Sequence, residues 1–230
     1  MPRFRPHESP LTPTLPPTRD ALQEHLVASI LSGGMSDLEV DMPAAPNPFR
    51  LDVVTKLANV RKRDRLRAAV PEPPAPGEAV HVISCADFDF WTWVPEMIAS
   101  LGTADHLYCS TWTLSRQNVA ELVEVMDTGK ITGQVSYLTG TYFKRRETAT
   151  YSLLLEALLA RGHRFRAFEN HCKILLLANA QKGAWLTVEG SANLNSNPRL
   201  EQYVITNDRG LHDWHRAWMD AIWTSQKGTQ

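Results

Sequence analysis

The sequence predicts an α/β protein: a mixed β-sheet flanked by helices, with a Pro-rich, partly helical N-terminal extension. Three observations carry this. Beyond residue 78, short strand-like runs take turns with longer segments of helical period. One run, Ile174-Leu175-Leu176-Leu177, is apolar throughout, as a buried strand requires. Pro2, Pro6, Pro10, Pro13, Pro16 and Pro17 crowd the first residues, a composition that favours an extended arm.

The elements follow in order. Residues 18–33 read as a helix with Leu22, Leu26, Val27, Ile30 and Leu31 on one stripe, ended by Gly33-Gly34. After a second proline cluster (Pro43, Pro46, Pro48), residues 51–67 have helical spacing and close on Arg61, Lys62, Arg63, Arg65 and Arg67. That basic run reads either as a solvated helix end or as a phosphate contact. Residues 70–77 hold Pro71, Pro73, Pro74 and Pro76 before Gly77, and read as a linker. The expected division is therefore an extension over 1–77 and a second domain over 78–230. Within the domain, strands are expected at 81–85, 106–111, 134–138, 164–168, 174–177, 184–188 and 203–206. Helices are expected at 90–101, broken early by Pro95, and at 116–127, 150–160 and 212–223. Asp87 and Asp89 read as a loop or helix cap.

Composition bounds the function. The 230 residues are 43% hydrophobic and 21% charged, with net charge −1 and a pI near 6.7. A generic charge-driven nucleic-acid binder is usually basic, so any phosphate contact here must use local charge. No segment approaches the ~18 continuous apolar residues of a membrane span. Arg3 and Arg5 are followed by no apolar stretch of secretory type. Cys85, Cys109 and Cys172 are far apart and lack C-x-x-C spacing, which supports neither a disulfide framework nor a zinc site. Reduced thiols suit the cytoplasm.

Two short motifs carry the chemistry. His171-Cys172-Lys173 opens the apolar strand, so His171 and Lys173 point one way and Cys172 the other. Gly190-Ser191-Ala192-Asn193 follows the strand-like run 184–188, and its glycine lets backbone amides approach a phosphate closely. Together they supply a nucleophile, a cation, a hydroxyl and an amide, a set suited to attack on a phosphodiester without a metal. Neither a metal nor another cofactor is expected. Weaker candidates surround them. Thr111 lies at a strand end where side chains line pockets, with Trp112 open between pocket and core. Arg145 and Arg146, beside Lys144 in an expected loop, read as backbone-phosphate contacts or as solvated charges. His212, His215, Trp214 and Trp218 on the last helix read as packing rather than as a stacking platform.

This pairing resembles the phospholipase D superfamily, with its H-x-K and G-S-x-N signatures, and in particular its small single-motif nucleases. The likeness spans roughly residues 79–223 and is sharpest from His171 to Ile205. The resemblance implies catalysis by His171, Lys173, Ser191 and Asn193, with Glu201 supporting His171 and Gly190 contributing to substrate binding. It implies a transient phosphohistidine and a second histidine as general acid. No other histidine has a Lys two places on. Single-motif members meet this need as symmetric dimers, so a homodimer with one composite site is expected. One position departs: the superfamily's Asp falls at Ala178.

The expected function is thus a metal-independent endonuclease, on DNA ahead of RNA and away from membranes. A phospholipase or phosphatidyltransferase is the alternative enzyme. An inactive module of the same fold, binding nucleic acid or protein, is the alternative of another class. The extension is the candidate dock for a protein partner.

Overall fold

The computed structural model describes residues 48–194 and 199–225, with side chains from residue 58 onward. The proline arm, the expected helix over 18–33 and any partner dock there lie outside the described residues. Helix α1 (Pro48–Ala69) comes first, then β1 (Ala79–Cys85), a 3-10 turn (Phe90–Thr92), α2 (Trp93–Leu101), β2 (His106–Ser110) and α3 (Arg116–Asp127). Next are β3 (Val135–Gly140), α4 (Thr141–Arg146), α5 (Thr148–Leu159) and β4 (Arg164–Phe168). The chain closes with β5 (Ile174–Asn179), β6 (Ala184–Gly190), β7 (Leu200–Asn207) and α6 (Arg209–Thr224).

The strands form one mixed sheet in the order β1-β7-β6-β5-β2-β3-β4. Pairing is parallel between β2, β3 and β4 and antiparallel from β2 through β5, β6 and β7 to β1. The expected α/β fold with a mixed sheet flanked by helices is what the chain adopts. The central strands are buried on both faces, which is why β5 reads as an unbroken apolar run. Alternation sorts its residues: Leu175 and Leu177 join the larger core, while Ile174 and Leu176 face Met219 of α6. On the larger-core side, Met97 of α2, Leu122 of α3 and Leu158 of α5 pack with Leu107, Tyr137 and Leu186. Each fully buried leucine contributes roughly 2 kcal/mol.

Local chemistry sets the helix starts. Ser115 caps α3 and exchanges bonds with Asn118. Asp208 accepts from Leu211 N at 2.7 Å at the start of α6. Asp89 caps the 3-10 turn reciprocally with Thr92, as its position before that helical run suggests. Pro95 falls in the first turn of α2, where its missing N–H costs little.

The basic run of α1 differs from both readings of it, for it faces acids of the sheet domain. Lys62 Nζ lies 2.6 Å from Asp89 Oδ2 and Arg65 3.1 Å from Asp87 Oδ1; Arg63 and Arg67 both bond Glu96. Asp89 and Glu96 are largely buried, but each cation keeps a quarter or more of its side chain in water, so each pair contributes about 1 kcal/mol. Leu66, 2% exposed in the larger core, is the stronger anchor. Residues 70–77 are likewise tied down: Asn207 Nδ2 donates to Pro74 O at 3.0 Å, and Gly77 N to Asn207 O at 2.7 Å. Among the described residues no helix is long and apolar enough to cross a membrane.

Candidate active site

The direction of pairing changes at β2, and the two motifs meet at that place. Parallel strands β2, β3 and β4 all end at one side of the sheet, and β5 starts there. Ligands of open α/β sheets bind outside such carboxyl ends. The turn after β4 delivers Asn170, His171, Cys172 and Lys173 to this edge. Asn170 pins the turn: its Nδ2 donates to Ser110 Oγ at 2.9 Å and Thr111 O at 3.3 Å, and its Oδ1 accepts from Cys172 N at 2.9 Å. The residue before an H-x-K triplet gave no signal of this role in the sequence.

The second motif is knitted to the first through the backbone. Gly190 N donates to Lys173 O at 3.1 Å. Ser191 N donates to Gln202 O, and Gln202 N to Ser191 Oγ, each at 3.1 Å. Gly190 is required by contact rather than by backbone angle, because a Cβ there would lie 2.8 Å from the Tyr203 ring. Tyr203 is fixed in turn by Phe88, Phe90 and Trp93.

His171 is exposed, and Lys173 is 7% exposed. Lys173 Nζ lies 2.8 Å from His171 Nδ1 and 2.6 Å from His171 O. Burial pushes the Lys173 amine below its usual range, while the nearby Cys172 and Glu201 oppose the shift. Ser191 Oγ donates to Glu201, so Glu201 holds the serine, and the His171 ring meets Lys173 instead. Asn193 Oδ1 accepts from Trp112 N at 3.3 Å, which turns its Nδ2 donors to other partners. Thr111 is buried, with its hydroxyl donated to Thr113 O at 2.9 Å. Arg145 and Arg146 lie in the last turn of α4 and not in a loop. That helix is one and a half turns long with no side-chain cap, so the sequence offered little to find it by.

Two further rings complete the edge. Trp112 stacks on Tyr142 (centroids 4.7 Å apart, planes at 25°) and lies 5.3 Å from the His171 ring. Trp112 thus belongs to the pocket wall, and Tyr142 joins it without a signal in the sequence, where a lone tyrosine two places after a glycine carries no pattern. Ala178 is at the far end of β5, fully buried opposite His106 and Trp185. It is five residues from Lys173, about 17 Å along the strand, too far to touch a group at the motif.

No protein-family model and no curated protein matches the chain. Solved structures are similar to it at low identity. Nuc from Salmonella typhimurium, a phospholipase D family member, aligns over 66% of this chain and 99% of its own, with 14% identity and a TM-score of 0.45. NucT from Helicobacter pylori aligns over 66% of this chain and 100% of its own, with 12% identity and a TM-score of 0.47. TrmBL2, an archaeal chromatin protein with a novel mode of DNA binding, aligns over 93% of this chain and 71% of its own, with 11% identity and a TM-score of 0.45.

Proposed function

We propose that this chain is a phosphodiesterase of the phospholipase D type, an endonuclease that cuts nucleic acid through a phosphohistidine. The observation that carries the reading is the juxtaposition of an exposed imidazole and a largely buried ammonium 2.8 Å apart, with the Gly190–Asn193 turn bonded to the same strand. A phosphodiester is anionic, so attack needs its oxygens neutralised. Lys173 and the Asn193 amide supply that. With the ammonium donating to Nδ1, the neutral ring carries its proton on Nε2. An arriving phosphate competes for Lys173 and so frees a ring lone pair for attack.

In the first step a His171 nitrogen bonds to phosphorus as the bond to the leaving oxygen breaks. That oxygen takes a proton from a second imidazole. In the second step water attacks phosphorus, gives a proton back to that imidazole, and the N–P bond breaks. The chain holds one H-x-K triplet. We therefore propose a homodimer in which the second imidazole is the His171 of another copy. Glu201 acts through Ser191, orienting the turn that presents Asn193. DNA is the favoured substrate ahead of RNA, and the free thiols Cys85, Cys109 and Cys172 suit the cytoplasm.

The deciding experiment is cleavage of labelled plasmid and single-stranded DNA in excess EDTA, comparing the full chain with His171→Ala. The wild type should cut with the chelator present, and the variant should lose at least about 10³-fold, the scale of a lost nucleophile. Absence of cutting by both proteins, or equal cutting by both, refutes the assignment. A fully active monomer in sedimentation refutes the composite site.

A further inference from the structure

From the stack beside His171 we infer that Trp112 and Tyr142 form a subsite for an unpaired nucleobase, which makes single-stranded nucleic acid the preferred substrate. This rests on the nuclease reading above.

The platform is built into the sheet edge. Trp112 O accepts from Gly140 N at 3.2 Å, and its amide is held by Asn193 of the second motif at 3.3 Å. A Cβ on Gly140 would lie 2.5 Å from the Trp112 ring, so the absent side chain there is the berth of the indole. Tyr142 continues the stack outward and is 44% exposed. A stack serving only as core would bury its outer ring; this one offers a ring to solvent at the mouth of a cavity of about 470 Å³ between α3 and α4. Arg116 and Thr113 also line that cavity, as does the acidic Glu147.

Arg146 places its guanidinium 5.8 Å from the Tyr142 centroid. Bases stack at about 3.4 Å, so one sandwiched between ring and guanidinium needs about 6.8 Å. An outward shift of Arg146 by about 1 Å admits it, and guanidinium planes stack on bases readily. The two ring-to-ring steps put Tyr142 no more than about 10 Å from His171. The base taken is therefore that of a nucleotide neighbouring the scissile phosphate. In a duplex both faces of every base are already covered by its neighbours, so only a splayed base can use such a ring.

Fluorescence anisotropy tests this on the whole chain carrying His171→Asn, which removes the proposed nucleophile so that a bound probe stays uncut. The probes are labelled dT12, an abasic 12-mer with the same phosphates, and a 12-base-pair duplex. We expect dT12 to bind about tenfold or more tighter than the other two, the scale of one stacked base. Adding Tyr142→Ala should erase that ratio and Tyr142→Phe should keep it; Tyr142 is exposed enough that its loss leaves the fold intact. Equal affinity for dT12 and the abasic oligomer, or an unchanged ratio in Tyr142→Ala, overturns the subsite. If equal affinity is found while the wild type still cuts dT12, the nuclease reading stands without it. If neither oligomer binds and the wild type cuts neither, both fall.

Discussion

His106 and His212 meet under α6 with their Nε2 atoms 3.1 Å apart, and they are 7% and 0% exposed. Only one of two facing nitrogens can carry a proton at that separation. Burial, then the charges of His212 and Arg216, push the His106 imidazole down to about 4, while Asp105 and Asp213 oppose the shift. An unfolded histidine titrates near 6.5. The unfolded chain therefore binds more protons than the folded one between these values. Stability is full above about pH 7.5, falls as pH drops through 6.5, and levels off below about 4. At pH 4.5 keeping His106 neutral costs about 2.5 kcal/mol. Burial pushes His212 and His215 down as well, so they add in the same sense. Urea unfolding followed by tryptophan fluorescence at pH 7.5 and pH 4.5 measures the loss on acidification. In His106→Gln, where the amide can still donate to His212, that loss should shrink by about 2.5 kcal/mol. Equal losses in the two proteins would refute the reasoning.

Other outcomes are as specific. Asn170→Ala removes three bonds that pin the His171 turn, and should lower stability by about 1–3 kcal/mol and lower kcat more than KM is raised, read by thermal melts and steady-state cleavage. Gly190→Ala forces a Cβ against Tyr203 and should cost about 1–3 kcal/mol in a denaturant titration. Glu96→Ala strips α1 of the partner shared by Arg63 and Arg67; limited proteolysis within residues 58–77 should speed up several-fold, while Leu66 keeps the helix docked.

The strands were legible where burial imposes a pattern. Ile174–Leu177 is apolar because both faces of β5 are covered, and α3 starts at Arg116 because Ser115 and Asn118 form a readable cap. The two motifs were legible because each adjoins such a strand. What stayed hidden depends on partners distant in sequence. Nothing near 61–67 shows that Asp87, Asp89 and Glu96 will face those cations. Order along the chain places Glu201 near the motifs without saying whether Ser191 or His171 is its donor. Trp112 was undecided because pocket walls and cores use the same residue, and only its stacking on an exposed Tyr142 distinguishes them.

The pairing of β1 with β7 also fixes when during synthesis the site can exist. Cys85 pairs with Leu200 and Ala79 with Thr206, so the sheet's edge waits for nearly the whole domain to leave the ribosome. Contacts this distant in sequence form late. The strands β5, β6 and β7 are sequential neighbours and can pair as a local meander. Yet Ser191 is held by Gln202 and Glu201, which belong to β7. A nascent chain stalled before residue 200 carries His171 and Lys173 without a formed turn to face them.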